Sequence, residues 1–155
     1  MMTETALKTE AHDIVVDDVF PHRAETIWKM LTSGELVARW LMPPTGFEPK
    51  VGNRFTFKTT PAGEWDGTIR CEVLEVVPHR RFSYSWKGGH HGNSGYGSLL
   101  DTIVTWTLEP VDSGTRVRLV HSGFVLPKNE TAFRNMGEGW KKIVPRLREA
   151  TDEQD

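Results

Sequence analysis

The chain of 155 residues is long enough for one domain with a substantial core and too short for two ordinary domains. Its 19 Lys and Arg residues stand against 21 Asp and Glu residues, so the formal net charge is -2 and no positive excess is present to hold a nucleic-acid backbone. Length and charge therefore favour a single globular domain and exclude nucleic acid as an expected partner.

The chain contains one cysteine, Cys71, which rules out an intramolecular disulfide and a zinc site built from several thiolates. The first residues are polar and lack the apolar run of a signal peptide, and no later stretch is apolar for long enough to cross a bilayer. We therefore expect a cytoplasmic protein without membrane attachment. Residues 1–12 and 151–155 are charged and aperiodic and are expected to be flexible tails, which leaves one domain over residues 13–150.

The domain begins with a predicted strand and two short helices. Residues 14–20, IVVDDVF, are rich in β-branched side chains, whereas residues 24–31 carry apolar side chains at helical spacing. Ser33 is placed to cap a second short helix, which Pro43 and Pro44 end.

Between residues 55 and 124, apolar and polar residues alternate with the period of two that is typical of half-buried strands. The pattern predicts five strands, whose inward side chains are Phe55 and Phe57; Ile69, Cys71 and Val73; Phe82, Tyr84 and Trp86; Val104, Trp106 and Leu108; and Val117, Leu119 and His121. Short turn sequences such as VDSGT join neighbouring strands, so we predict an antiparallel meander.

The last predicted element is one long helix that Asn129 is placed to cap, with Pro145 inside it as a source of bending. One face of this helix carries Phe133, Met136, Gly137, Trp140, Ile143, Val144 and Leu147. Because a meander exposes one apolar face, a long amphipathic helix is its natural cover. We therefore predict an α+β fold: a six-stranded antiparallel sheet, two short helices after the first strand, and a long carboxy-terminal helix.

Several strings in the chain resemble, in order and spacing from about residue 14 to residue 150, those of one known family: FPHRAETIWKMLTSGELVARWLMP, VGNRFTF, WDGTIRCEVLEVVPHRRFSYSW, VTWTLEPVDSGTRVRLVHSGF and GEGWKKIVPRL. The family is that of homologues of the activator of heat-shock protein 90 ATPase, within the START-like superfamily. The resemblance implies a helix-grip fold, in which a curved sheet wraps the long carboxy-terminal helix and encloses an apolar cavity. It leaves the function open, because the superfamily includes carriers, sensors, cyclases and co-chaperone domains.

The segment KGGHHGNSGYGSLL, residues 87–100, combines five glycines with two adjacent histidines. A phosphate cradle needs glycines that lead into the amino terminus of a helix, whereas a predicted strand follows here. His90 and His91 would point apart on an extended chain, which argues against a shared metal ion. We expect a flexible hairpin connection at the cavity rim, and the alternative is a lid that includes His90, His91 and Tyr96.

The interior offers a candidate ligand site. His121 is in phase with the inward residues of its strand, so it is either a core histidine with hydrogen-bond partners or a polar anchor for a ligand. Gly137 lies on the apolar stripe of the last helix but has no side chain to fill the space beside it. Aromatic residues of the sheet close this space, or it is available to a ligand. The remaining candidate walls and anchors are Trp86, Trp106, Phe133, Trp140 and Tyr84.

No pattern in the sequence predicts catalysis, a metal centre or a cofactor. Cys71 is in phase with apolar neighbours and is expected to be a small buried hydrophobe. The acidic pairs Asp17 with Asp18 and Glu64 with Asp66 lack a companion histidine. The chain also lacks the G-x-S-x-G, H-E-x-x-H and Walker motifs.

Three functions remain open at this point. The leading hypothesis is a carrier or sensor, monomeric or homodimeric, that binds a small apolar or aromatic molecule between the sheet and the last helix. The second is an interaction module that regulates a chaperone ATPase or another protein through its outer surface. The third is a cyclase-like or hydratase-like enzyme that uses His121 or Tyr84 as an acid–base group in the cavity.

Overall fold

A computed structural model describes residues 11–154, which form three helices and a six-stranded antiparallel sheet. The elements in chain order are β1 (Ala11–Phe20), α1 (Ala24–Thr32), α2 (Gly34–Trp40), β2 (Arg54–Lys58), β3 (Thr68–Val77), β4 (Arg81–Gly88), β5 (Leu100–Val111), β6 (Gly114–Val125) and α3 (Glu130–Asp152). The predicted element order and the α+β helix-grip architecture are confirmed.

The sheet has the order β1-β6-β5-β4-β3-β2, so five consecutive strands form a meander and β1 lies beside the last of them. The pairing shifts register between His12 and Ile14 in β1 and between Val73 and Glu75 in β3. A bulge bends the strand that carries it and increases the local twist. The two irregularities therefore help to curve the sheet around the long helix.

Aromatic side chains fill the middle of the space between the sheet and α3. The ring centroids of Trp40 and Trp106 lie 5.4 Å apart, and those of Trp106 and Trp140 lie 5.9 Å apart, both in edge-to-face geometry. All three side chains are buried, and Trp40 Nε1 donates a hydrogen bond to the Met30 carbonyl at 3.0 Å. Protein side chains thus occupy the central interior between the sheet and α3.

The first strand begins earlier than predicted, because its first residues pair with the last residues of β6. Ala11 and His12 belong to β1, where His12 lies opposite Phe124 of β6 and its ring contacts that of Phe133. A local sequence pattern does not reveal a partner strand that lies so far away in the sequence. The rest of the predicted amino-terminal tail, residues 1–10, lies outside the described residues.

The last helix continues beyond the predicted boundary at residue 150. Thr151 is fully buried, and its hydroxyl donates to the Leu147 carbonyl at 2.7 Å. Asp152 Oδ1 lies 2.6 Å from Nε2 of His22, which follows β1. The prediction of a tail from residue 151 was therefore two residues too early, because a partner distant in sequence holds the final turn.

The two predicted capping residues occupy their positions without making capping bonds. Ser33 and Asn129 are the N-cap residues of α2 and α3, but neither side chain makes a capping hydrogen bond. Asn129 is buried instead, where its Oδ1 accepts from the Val125 amide at 3.0 Å and its Nδ2 donates to the Leu99 carbonyl at 2.9 Å. Asn129 therefore fastens the start of α3 to the segment that leads into β5.

Pro145 lies inside α3, which continues through it to the end of the helix. Because proline has no backbone N–H group, the Lys141 carbonyl lacks its intrahelical partner. Both Pro145 and Lys141 are exposed. Water can bond to a carbonyl on this face of the helix, so the proline is tolerated there.

Replacement of Gly137 by Ala is expected to raise the free energy of unfolding by about 0.5–1 kcal/mol, because Ala restricts the unfolded chain and favours helix. A Cβ at Gly137 would have nothing within 4 Å. Urea denaturation would measure this gain. Gly89→Ala is the contrasting variant and should lower the stability by more than about 1 kcal/mol, since Gly89 has a φ of 79° and its Cβ would collide with the Ser98 carbonyl. Equal effects of the two substitutions would contradict both assignments.

Candidate functional site

An apolar cavity of about 180 Å³ lies between the sheet and the first turns of α3. Strands β3, β4 and β5 contribute to it, as do the segments that precede β3 and β5 and the residue two positions after α2. None of the residues that line it carries a charge, and half of them are apolar residues other than glycine: Met42, Trp65, Ile69, Trp86, Leu100, Ala132 and Met136. A site of this composition favours neutral, apolar molecules.

The segment between β4 and β5 is fastened to the segment between β2 and β3 beside this cavity. The Tyr96 hydroxyl donates to the Thr60 carbonyl at 2.7 Å, and Asn93 Nδ2 donates to the Ala62 carbonyl at 2.7 Å. The rings of Tyr96 and Trp65, which both line the cavity, have centroids 6.0 Å apart. These side-chain hydrogen bonds and the ring contact help to hold the two segments together.

Several glycines of this segment allow backbone conformations that other residues rarely adopt. The segment joins β4 to β5, so its glycines do not lead into a helix as those of a phosphate cradle would. Gly89 and Gly97 have φ values of 79° and 89°, and the His90 amide donates to the Gly97 carbonyl at 2.9 Å. Such φ values are readily available to glycine, and they let the chain turn back on itself at the cavity wall.

The two histidines of this segment do not point apart as the sequence suggested. The rings of His90 and His91 stack with centroids 4.3 Å apart, because the pair lies at a turn and not on an extended strand. His90 Nδ1 accepts from the Gly92 amide at 2.9 Å, and neither histidine lines the cavity. Within residues 11–154, no group of three or more His, Cys, Asp or Glu side chains is arranged to hold a metal ion.

His121 is fully buried and has a hydrogen-bond partner at each ring nitrogen. Trp140 Nε1 donates to Nδ1 at 2.9 Å, so the proton of the neutral ring is on Nε2. Nε2 lies 2.8 Å from Thr102 Oγ1, which donates in turn to the Trp86 carbonyl at 2.7 Å. Burial lowers the pKa of His121 to about 3, so the ring is neutral near neutral pH. Both nitrogens are thus engaged within the protein, as expected of a core histidine.

Trp86 lines the cavity and is 4% exposed as a residue, and its buried Nε1 has no hydrogen-bond partner within the described part of the chain. The indole nitrogens of four other tryptophans each have an acceptor: Trp40, Trp65, Trp106 and Trp140. A buried N–H group without a partner is unfavourable and rare in folded proteins. Trp86 Nε1 is therefore a donor that the protein itself leaves unused.

A second, more open apolar hollow of about 190 Å³ lies along α3. It shares four lining residues with the first cavity: Met42, Trp86, Asn135 and Met136. Methionine side chains have several accessible rotamers and adapt to irregular spaces. Two of the four shared residues can therefore change the boundary between the two spaces.

The structure brings only part of the predicted site together. Trp86 and Tyr96 line the first cavity, and Trp140 lines the second hollow. Seven predicted residues line neither space: Tyr84, His90, His91, Trp106, His121, Phe133 and Gly137. Inward orientation on a strand or helix is thus not sufficient to place a side chain at the cavity.

Local partners explain where these side chains lie. The buried Tyr84 hydroxyl accepts from Trp106 Nε1 at 3.3 Å, and burial raises the pKa of Tyr84. Phe133 packs against Phe124 of β6 with ring centroids 5.4 Å apart. Gly137 is half-buried and faces open space, so it leaves no enclosed hole.

The sequence patterns did not identify Met42, Trp65, Ala132 and Met136 as cavity residues. Met42 and Trp65 lie outside helices and longer strands, where periodicity does not indicate the direction of a side chain. Ala132 and Met136 lie one helical turn apart on α3, and Met136 was already assigned to its apolar stripe. This spacing is the feature of the sequence that could have placed the two residues on the same face of the helix.

Comparison with known proteins gives one family match. Residues 21–152 match the family described as Activator of Hsp90 ATPase homolog 1-like protein. None of the curated proteins matches the sequence. Within residues 11–154, no helix is both long and apolar enough to span a bilayer.

Solved structures share the fold. A Mesorhizobium loti protein is 33% identical with a TM-score of 0.80, and the match covers 93% of this chain and 99% of that chain. A Bacillus halodurans protein is 23% identical with a TM-score of 0.69, over 90% of this chain and 96% of that chain. The Aha1 dimer from Colwellia psychrerythraea is 18% identical with a TM-score of 0.70, also over 90% and 96%.

The His121 pKa predicts how the stability depends on pH. The unfolded chain takes up a proton at this residue near pH 6.5, whereas the folded protein does so only near pH 3. Protonation therefore favours unfolding as the pH falls through this window, at up to about 1.4 kcal/mol per pH unit. Urea denaturation at several pH values would measure this loss of stability.

His121→Gln is the matched variant, because its side chain cannot take up the proton. It should be about 2–4 kcal/mol less stable at neutral pH, and this difference should shrink as the pH is lowered. A difference between the two proteins that is constant with pH would contradict the assignment of a neutral buried imidazole.

Proposed function

Because this chain belongs to the Activator of Hsp90 ATPase homolog 1-like family, we propose that it uses the helix-grip fold of that family to bind a small neutral molecule, apolar or with a single aromatic ring, as a carrier or sensor. The observation that carries this proposal is the uncharged, largely apolar cavity between the sheet and α3. An engineered apolar cavity of about 150 Å³ in another protein binds benzene, so the 180 Å³ found here is a suitable size for one ring.

The cavity also limits the chemical class of the ligand. A charged group would lose its hydration without gaining an oppositely charged partner, since no charged side chain lines the space. A molecule with several rings would need the second hollow as well, and therefore a movement of Met42 or Met136. We propose that single-ring compounds and short branched alkyl compounds are the preferred ligands.

Tyr96 is proposed as the closing residue of the site. Its ring lines the cavity, while its hydroxyl reaches Thr60 in the opposite segment. The bond is exposed, so water can compete for it when the segments separate. His90 and His91 do not line the cavity and are assigned no ligand contact in this lid.

A protein-interaction module is the second candidate, and the family description together with one surface favours it. Val15 and Ile103 are 48% and 40% exposed on the outer face of the sheet, and Val15 lies opposite Val120 of β6. Exposed apolar side chains of this kind are common at protein contacts. A change in the ATP hydrolysis of a chaperone on addition of this protein would favour the second candidate, and the surface would also suit a homodimer.

The geometry does not favour the enzymatic alternative. His121 and Tyr84, the two residues considered for acid–base chemistry, make their hydrogen bonds to other protein groups and do not line the cavity. Burial raises the pKa of Cys71 to about 12, so its thiol is protonated and a poor nucleophile. We propose binding without covalent chemistry, and a reducing cytoplasmic setting for the protein.

A thermal-shift titration tests the binding proposal. Toluene-sized and acetophenone-sized compounds should raise the Tm in a saturable way, by an amount that corresponds to about 2.7 kcal/mol at a ligand concentration one hundred times the Kd. Ala132→Leu fills the cavity from α3 and should weaken binding at least about tenfold. Gly137→Leu is the matched control on the same helix, because its side chain enters open space.

Binding that survives Ala132→Leu, or that Gly137→Leu weakens equally, would place the ligand elsewhere. Absence of any Tm shift across single-ring compounds would exclude the carrier or sensor role and turn attention to the outer face of the sheet.

Tyr96→Phe tests the closing role. The variant keeps the ring and removes the hydrogen bond to Thr60, so the ligand dissociation rate should rise about threefold to tenfold. Release of the bound ligand in a stopped-flow instrument would measure this rate. The signal is the tryptophan fluorescence of the protein, to which Trp65 and Trp86 of the cavity wall contribute. His91→Ala is the control within the same segment, and an equal increase in that variant would argue against a specific role for the Tyr96 hydroxyl.

A further inference from the structure

Trp86 Nε1 is the one buried side-chain nitrogen or oxygen in residues 11–154 that has no hydrogen-bond partner. The same side chain lines both the cavity and the adjoining hollow. We propose that this N–H group recognises a hydrogen-bond acceptor on the ligand, and that the ligand is therefore a neutral, single-ring or short branched compound with a carbonyl or ether oxygen. The inference rests on the proposed binding function and adds the polar group that the ligand must carry.

The indole of Trp86 is held by neighbours on several sides. Its ring centroid lies 5.5 Å from that of Phe57, 5.6 Å from that of His121 and 5.9 Å from that of Trp140. Its backbone carbonyl is held by Thr102, which belongs to the hydrogen-bond chain of His121. Because packing fixes the ring, the N–H group cannot readily rotate to find a partner within the protein. An acceptor must be brought to it.

A ligand oxygen suits this donor better than an isolated water molecule does. A buried water is stable when it makes two to four hydrogen bonds, and the walls of this cavity are largely apolar. A carbonyl or ether oxygen needs only one donor, and the rest of such a molecule contacts apolar walls. One polar group among apolar walls is the usual means of fixing the orientation of a small ligand.

The acceptor should belong to an uncharged group. A carboxylate would also accept from Trp86, but its charge would remain without a cation in the lining. The structure therefore favours ketones, aldehydes, esters and ethers over the corresponding acids. Benzoate provides this comparison with acetophenone and should bind at least about tenfold more weakly.

The decisive experiment compares two compounds of the same shape in three proteins. Acetophenone carries a carbonyl oxygen where α-methylstyrene carries a CH₂ group, so their affinity ratio reports on the acceptor. Trp86→Phe keeps an aromatic ring and removes the N–H group, and it should reduce this ratio by about fivefold to tenfold. Trp65→Phe is the matched control, because Trp65 lines the same cavity but its Nε1 already donates to the Thr68 carbonyl at 2.9 Å.

A spectroscopic measurement on the unaltered protein keeps the test independent of the folding of the variants. The Nε1 proton signal of Trp86 in an NMR spectrum should move downfield on addition of acetophenone and should not do so with α-methylstyrene. If both compounds bind and the signal responds equally to both, or if Trp86→Phe leaves the affinity ratio unchanged, the acceptor proposal is overturned while cavity binding stands. If neither compound binds, the proposed function fails and this inference fails with it.

Discussion

The position of the long helix on the sheet depends on a buried chain of hydrogen bonds through His121. The chain runs from Trp140 of α3 through His121 of β6 and Thr102 of β5 to the backbone carbonyl of Trp86 in β4. It therefore connects the helix to three adjacent strands. Loss of any member would leave buried polar groups unpaired, at a cost of about 1–3 kcal/mol for each group. The same chain positions Trp86, whose side chain is part of the cavity wall, so the scaffold and the candidate site share one constraint.

The distribution of large and small side chains determines where space remains. Tryptophans occupy the interior around the middle of α3, whereas Ala132 and three glycines line the end near its first turns. Close packing removes most voids from a protein interior, so an apolar space of this size is a property of the residues that border it. Gly89 and Gly97 shape the connecting segment there, because their φ values turn the chain back and a Cβ at either position would collide with neighbouring atoms of the protein.

The fold followed from local patterns, and the site followed from them only in part. Alternation in the strands correctly placed His121, Tyr84 and Trp106 in the interior, because the facing of a strand residue is a local property. The pattern did not show the hydrogen bonds from Trp106 to Tyr84 and from Trp140 to His121. Their prediction requires the register between strands and the position of the helix on the sheet. The cavity itself depends on two irregular segments that carry no period, and so Met42 and Trp65 could not be predicted.

Two methionines, Met42 and Met136, line both apolar spaces, so substitutions at these two positions can change the shape of the spaces. The size of a cavity enclosed by backbone changes only when strands or helices move, which disturbs the whole domain. Here Met42 and Met136 form part of the boundary, and side chains at these two positions can be exchanged without altering the sheet or the His121 chain. Under the binding function proposed above, smaller residues would merge the two spaces and admit larger ligands, whereas stiffer β-branched residues would restrict entry to compact molecules. Point substitutions can therefore change the shape of the proposed binding space while the scaffold remains constant, as expected for a fold that has been adapted to many different tasks.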